Sequence, residues 1–125
     1  MKFMMIVKHK EGQGFPPQEL MDAIANKAAE AAKAGTMLGS GGLLPTEAGA
    51  RVKLSGGKIS VVDGPFTEAK EVLGGYAQFE VGSKEEAVKG AVDFMELHKK
   101  YWPGWEGETE VRQMMEPGDF SGCKK

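Results

Sequence analysis

The chain carries one cysteine in 125 residues, Cys123 in a Gly/Lys-rich end. No internal disulfide can form, which agrees with a reducing cytoplasm. A thiol in a terminal segment also lacks the fixed surroundings that turn cysteine into a nucleophile. Long hydrophobic runs are missing too: the longest, Phe3 to Val7, is far too short to span a bilayer. The N-terminus has no basic segment, apolar stretch and cleavage site of a signal peptide, so the mature chain is expected to begin at or near Met1. Charge of one sign is not in excess, with 18 acidic and 16 basic residues giving a formal net charge of -2. That balance leaves no electrostatic footprint for nucleic acid or an anionic membrane, and small neutral or modestly charged partners fit better.

Metal and phosphate motifs are also missing. The two histidines, His9 and His98, fall into no H-x-x-x-H or H-E-x-x-H spacing, there is no C-x-x-C, and no metal is expected. There is no G-x-G-x-x-G or Walker-type loop, and Gly39, Gly41 and Gly42 lack a following helix that would aim its dipole at a phosphate. No cofactor is expected.

What is present, with 41% hydrophobic residues, suits a single domain over residues 1–115, followed by a flexible tail over 116–125. Lys2 to Lys8 reads as a strand with Phe3, Met5 and Val7 on one side and Met4 and Ile6 on the other, hence covered on both faces. Pro16-Pro17 opens a helix whose apolar positions Leu20, Ile24, Ala28 and Ala31 recur at helical spacing until Gly35. Thr36 to Leu44 is an irregular, glycine-interrupted strand. Arg51 to Leu54 and Lys58 to Val62 flank Gly56-Gly57 as a tight hairpin. Tyr76 to Val81 alternates, with Ala77, Phe79 and Val81 against Tyr76, Gln78 and Glu80. Ser83 to Glu86 has the spacing of a capping box and starts a helix through about Lys99, with a stripe of Ala87, Val88, Ala91, Val92 and Met95. Glu110 to Met115 is the last strand. The order predicts an α+β fold, an antiparallel sheet with two main helices on one face. The sheet's other face needs cover, and a second copy of the chain supplies it most simply, leaving a cleft near the rims.

Several residues could carry chemistry in such a cleft. Asp63 closes a strand at Asp63-Gly64-Pro65-Phe66, where its carboxylate either makes the turn or serves as an acid, a base or an orienter of histidine. His98 lies within about 20° of Ala87 and Ala91 on the helical wheel, so it faces the sheet, either as a core-edge histidine or as a catalytic one. His9 stands at the mouth of a Gly-rich loop. Tyr76, Gln78 and Arg112 offer a hydroxyl, an amide and a cation for a substrate, or simply a polar strand face. Trp102 and Trp105 bracket Pro103-Gly104 and cap the second helix or rim the dimer, with stacking on a ligand as the lesser alternative.

The central stretch Asp63 to Gly75, with Met1 to Met5, Gly41-Gly42-Leu43 and Glu108 to Gln113 (with Gly107 before it) as flanking pieces, resembles the YCII-related, D-G-P-F-type proteins over nearly the whole chain. The resemblance implies a ferredoxin-like α+β domain that pairs as a dimeric α+β barrel. It also implies a histidine and an aspartate meeting in a cleft, and for some relatives a link to sigma-factor systems. Asp63 matches the motif directly, whereas His98 and His9 are placed by position. The expectation is a homodimer binding a small molecule, with Asp63 and a histidine exchanging protons. A noncatalytic ligand-binding or regulatory module is the alternative.

Overall fold

The computed structural model describes residues 1–118. Its elements run β1 (Lys2–His9), α1 (Gln18–Lys33), β2 (Met37–Gly42), β3 (Ala50–Ser55), β4 (Lys58–Asp63), β5 (Val72–Glu80), α2 (Lys84–Tyr101) and β6 (Gly107–Gln113). Four strands form one antiparallel sheet in the order β2-β5-β1-β6, while β3 and β4 pair only with each other. Without the hairpin the order is β-α-β-β-α-β, the ferredoxin-like arrangement. The β3–β4 ribbon is therefore an insertion between the second and third strands of that frame, where the sequence pattern read it as part of one sheet.

The core forms because β1 alternates strictly. Phe3, Met5 and Val7 are buried on the helix side against Ala77 of β5, Leu20 of α1, and Ala87 and Ala91 of α2. Met37, Phe79, Phe94, Trp105 and Val111 pack around this centre. Small alanines on α2 let the helix approach the sheet closely. Met4 and Ile6, on the opposite face, are only half-buried.

Helix α1 starts at Pro17, whose carbonyl accepts from Leu20 and Met21 N–H, and ends before Gly35, whose φ of 80° only glycine adopts without strain. At the start of α2, Ser83 Oγ accepts from Glu86 N–H at 3.2 Å. The Glu86 carboxylate reaches Gly82 N–H rather than Ser83, so only half of the expected capping box forms. Two stripe residues, Val88 and Val92, lie exposed, because β6 runs beside the helix at the sheet's edge and leaves that flank uncovered. Strand β5 begins at Val72 and β6 at Gly107, earlier than alternation alone predicts. Glycines 74 and 75 and Glu108 hide those starts. Met114 and Met115 fall beyond β6. Cys123 and most of the expected tail lie outside the described residues. No helix among the described residues is long and apolar enough to cross a membrane.

Candidate functional site

Strand β1 delivers His9 to the end of the sheet on the same side as Val7, and the last turn of α2 delivers His98 to the same place. Trp105, from the turn that links α2 to β6, stands with both. Its ring centroid lies 4.4 Å from that of His98 and 6.3 Å from that of His9. Phe94, one turn back on α2, and Trp102 complete the surroundings of His98, with centroids at 4.6 and 6.4 Å. His9 lies directly over Gly74, where a Cβ would collide with the imidazole. A side chain at that position would expel His9 from the group.

His98 is the one polar side chain that the described fold buries, at 7% exposure. Its Nδ1 is 3.0 Å from the Phe94 carbonyl oxygen. A carbonyl only accepts, so Nδ1 carries the hydrogen and Nε2 holds the free lone pair. Loss of hydration pushes the imidazole below its ordinary pKa, the Phe94 bond partly opposes this, and the charge of nearby His9 adds to the depression. At neutral pH the ring is an uncharged base. An open cleft of about 330 Å³ adjoins it, lined by Met95, His98, Lys99, Trp105, Glu106 and Gly107. Lys99 and Glu106 were not among the residues singled out by sequence pattern. Their adjacency to His98 and Trp105 in the chain was the available signal.

Asp63 is elsewhere. It closes β4 opposite Ala50 in the hairpin register and is exposed. Among the described residues it forms neither a hydrogen bond nor an ion pair with His9 or His98. The turn after it is held by a different carboxylate. Glu11 accepts from Thr46 N–H at 2.7 Å and from Thr46 Oγ1–H at 2.6 Å, and Thr46 Oγ1 accepts from Phe66 N–H at 3.1 Å. These bonds, the hydroxyl's first, hold Glu11 below the usual carboxylate range. Gly64 donates its N–H to the Gly49 carbonyl and sits so close to the Thr46 carbonyl that no side chain fits. Phe66 lies under the Arg51 guanidinium, 3.9 Å from ring centroid to Cζ, and Arg51 is ion-paired with Glu68. The Asp-Gly-Pro-Phe stretch is thus a braced turn at the foot of the hairpin.

Tyr76, Gln78 and Arg112 occupy the sheet face away from the helices. The register sets Gln78, Met4 and Arg112 in one row and Tyr76, Ile6 and Glu110 in the next. Tyr76 covers Gly41 of β2. Glu110 accepts from Lys8 Nζ at 2.7 Å and pairs with Arg112, and these two cations lower its pKa, the lysine bond first. The sheet stands between this polar face and the two histidines.

Residues 1–94 match the YCII-related domain. The chain belongs to the YCII-related family. A protein of Rhizobium meliloti (strain 1021), described only as uncharacterised, is 34% identical over 102 residues, which cover 80% of this chain and 76% of that one. The YCII-related match takes in His9, Asp63 and Tyr76 and stops before His98, Trp105 and Arg112. The aromatic wall of the cleft is thus built from the part of the chain beyond the matched span.

Proposed function

We propose that this YCII-related protein is a homodimeric small-molecule enzyme of the cytoplasm, in which His98 acts as the proton-accepting group of the cleft beside Trp105. The observation that carries the reading is the state of His98: buried, Nδ1 fixed by the Phe94 carbonyl, Nε2 basic, and uncharged at neutral pH. Trp105 offers a flat apolar face to a substrate, Lys99 a cation at the rim, and Glu106 a carboxylate. Such a wall suits a small planar or unsaturated acid, whose charge meets Lys99 while a C–H or O–H approaches the imidazole. His9, held by its Nδ1 contact to the Lys10 carbonyl at 3.0 Å, is the second proton carrier. Asp63 serves from the hairpin rather than from the cleft floor.

The test is a thermal-shift screen of small organic acids against the parent, His98→Gln and Asp63→Asn. A ligand that raises the parent's melting temperature and loses that effect in His98→Gln supports the reading. Equal shifts in parent and His98→Gln overturn it. The alternative, a noncatalytic module that binds on the Tyr76, Gln78 and Arg112 face, rests on the exposed and ordered polar rows of that face. It is favoured when Arg112→Ala abolishes a shift that His98→Gln leaves intact.

A further inference from the structure

The β3–β4 ribbon presents two unlike faces. Residues directly opposite in an antiparallel pair share a face, so Val52 with Val61 and Leu54 with Ile59 form one side. Arg51, Lys53, Ser60 and Lys58 lie on the other. The chain covers part of the polar side, where Phe66 packs under Arg51, and leaves the apolar side open. Val52, Leu54, Ile59 and Val61 are between 65 and 74% exposed. Strands β3 and β4 make extensive contact only with each other, and an isolated two-stranded ribbon is marginal in water at best. This one therefore requires a surface to lie on.

The same chain offers a matching surface. The sheet face away from the helices has the half-buried Met4 and Ile6 and the exposed Tyr76 at its centre, flanked by Gln78, Glu110 and Arg112. The accessible surface of the chain is 8876 Å², against about 6,500 Å² for an ordinary monomer of this mass. Were the seven terminal residues outside the description to contribute an unfolded chain's surface, roughly 1,100 Å², an excess of roughly 1,300 Å² would remain. That is more than the ~800 Å² per partner of a standard interface. The hairpin's apolar side and the Met4, Ile6 and Tyr76 patch of the sheet, set among Gln78, Glu110 and Arg112, cover each other in a two-fold dimer: the ribbon of either copy lies on the sheet of the other, and no third molecule is required.

We infer that the Val52, Leu54, Ile59 and Val61 face of the β3–β4 hairpin docks on the uncovered sheet face of a second copy of the chain, carrying Asp63 into the interface. Asp63 lies opposite Ala50, two residues beyond Val61, and so shares the apolar side of the ribbon. Its carboxylate meets the partner at the rim of that side. This deepens the homodimer reading above and rests on it, but it is independent of the chemistry assigned to His98.

Light scattering on the full chain, with dilution series to obtain the dissociation constant, tests the inference. The parent runs as a dimer. Leu54→Lys combined with Ile59→Lys raises the dissociation constant by at least roughly 100-fold, the scale expected when two central apolar anchors are lost. Tyr76→Lys on the receiving face does the same. Lys53→Glu, on the polar side of the ribbon, leaves the dimer unchanged, and Asp63→Arg weakens it. Because the core of the sheet and helices contains neither Leu54 nor Ile59, the helical part of the far-ultraviolet circular dichroism stays at the parent's value. Should the double lysine variant unfold, Leu54→Thr with Ile59→Thr keeps strand propensity and still weakens pairing by more than roughly tenfold. A monomeric parent overturns the inference together with the homodimer. A dimer that survives the hairpin changes, or survives Tyr76→Lys, overturns the inference and leaves the homodimer standing. The His98-dependent ligand shift, measured separately, reports on the proposed chemistry.

Discussion

His98 and Trp105 lie with their ring centroids 4.4 Å apart, and this contact covers part of the imidazole that would otherwise meet water. The indole, with Phe94 and Trp102, forms the aromatic surroundings that keep the histidine largely dry. Trp105→Ala admits water to the ring, so the His98 pKa rises toward its ordinary value, which a proton NMR titration of the imidazole resonances reads directly. The same change removes a large, partly buried aromatic and lowers unfolding free energy by about 2–3 kcal/mol, somewhat less than the cost of a fully buried aromatic.

The depressed pKa of His98 also fixes how stability depends on acidity. The folded ring binds its proton less readily than the unfolded one, so between the two values the unfolded chain carries more protons. Stability is full above the unfolded value of about 6.5 and falls as the pH drops from there to the folded value. Urea titrations between pH 5 and 8 therefore show a fall on the acid side of about 6.5. In His98→Gln, which has no group that titrates in this range, the histidine part of that fall disappears.

Gly64 has no room for a methyl group against the Thr46 carbonyl. Gly64→Ala forces the turn away from Thr46, breaks the Phe66 N–H bond to its hydroxyl, and costs about 3 kcal/mol, at the upper end for overpacking. Chemical denaturation checks the magnitude. Hydrogen exchange checks the place, because Phe66 N–H loses protection while the amides of β1 keep theirs.

Phe3 is 2% exposed at the centre of the helix-side core. Phe3→Ala destabilises the fold by about 3–5 kcal/mol, measured by equilibrium unfolding. The contrast with Leu54→Ala, exposed in the single chain, is informative. At protein concentrations low enough to keep the chain single, Leu54→Ala leaves the unfolding midpoint nearly unchanged.

Much of this architecture was legible from the chain's own pattern. The strict alternation of Phe3, Met5 and Val7 reports a strand with a buried side, and the glycine pair at 56 and 57, with φ of 59° and 77°, reports the hairpin turn. The wheel position of His98 reports its burial. Three things stayed hidden, each for a physical reason. The hairpin's independence from the main sheet depends on pairing partners far apart in sequence, and alternation within a strand carries no record of its neighbour. The Glu11 to Thr46 brace joins two loops 35 residues apart that have no periodicity to betray them. The meeting of His9, Trp105 and His98 requires that β1 and the α2–β6 turn end at the same rim, which follows only once the strand order is known. The Asp-Gly-Pro-Phe signal drew attention to Asp63 as an acid, whereas the structure gives its neighbours Gly64 and Phe66 the tighter constraints.

Strand β6 forms one border of the sheet, and along it Glu108, Glu110 and Arg112 follow one another at every second position. A border studded with ionic groups repels the addition of further strands, since each newcomer would have to strip them of water. Growth by lateral strand pairing is blocked on that flank, and for the proposed homodimer this means that a chain with so much bare aliphatic surface stops at a closed pair instead of continuing into a fibre.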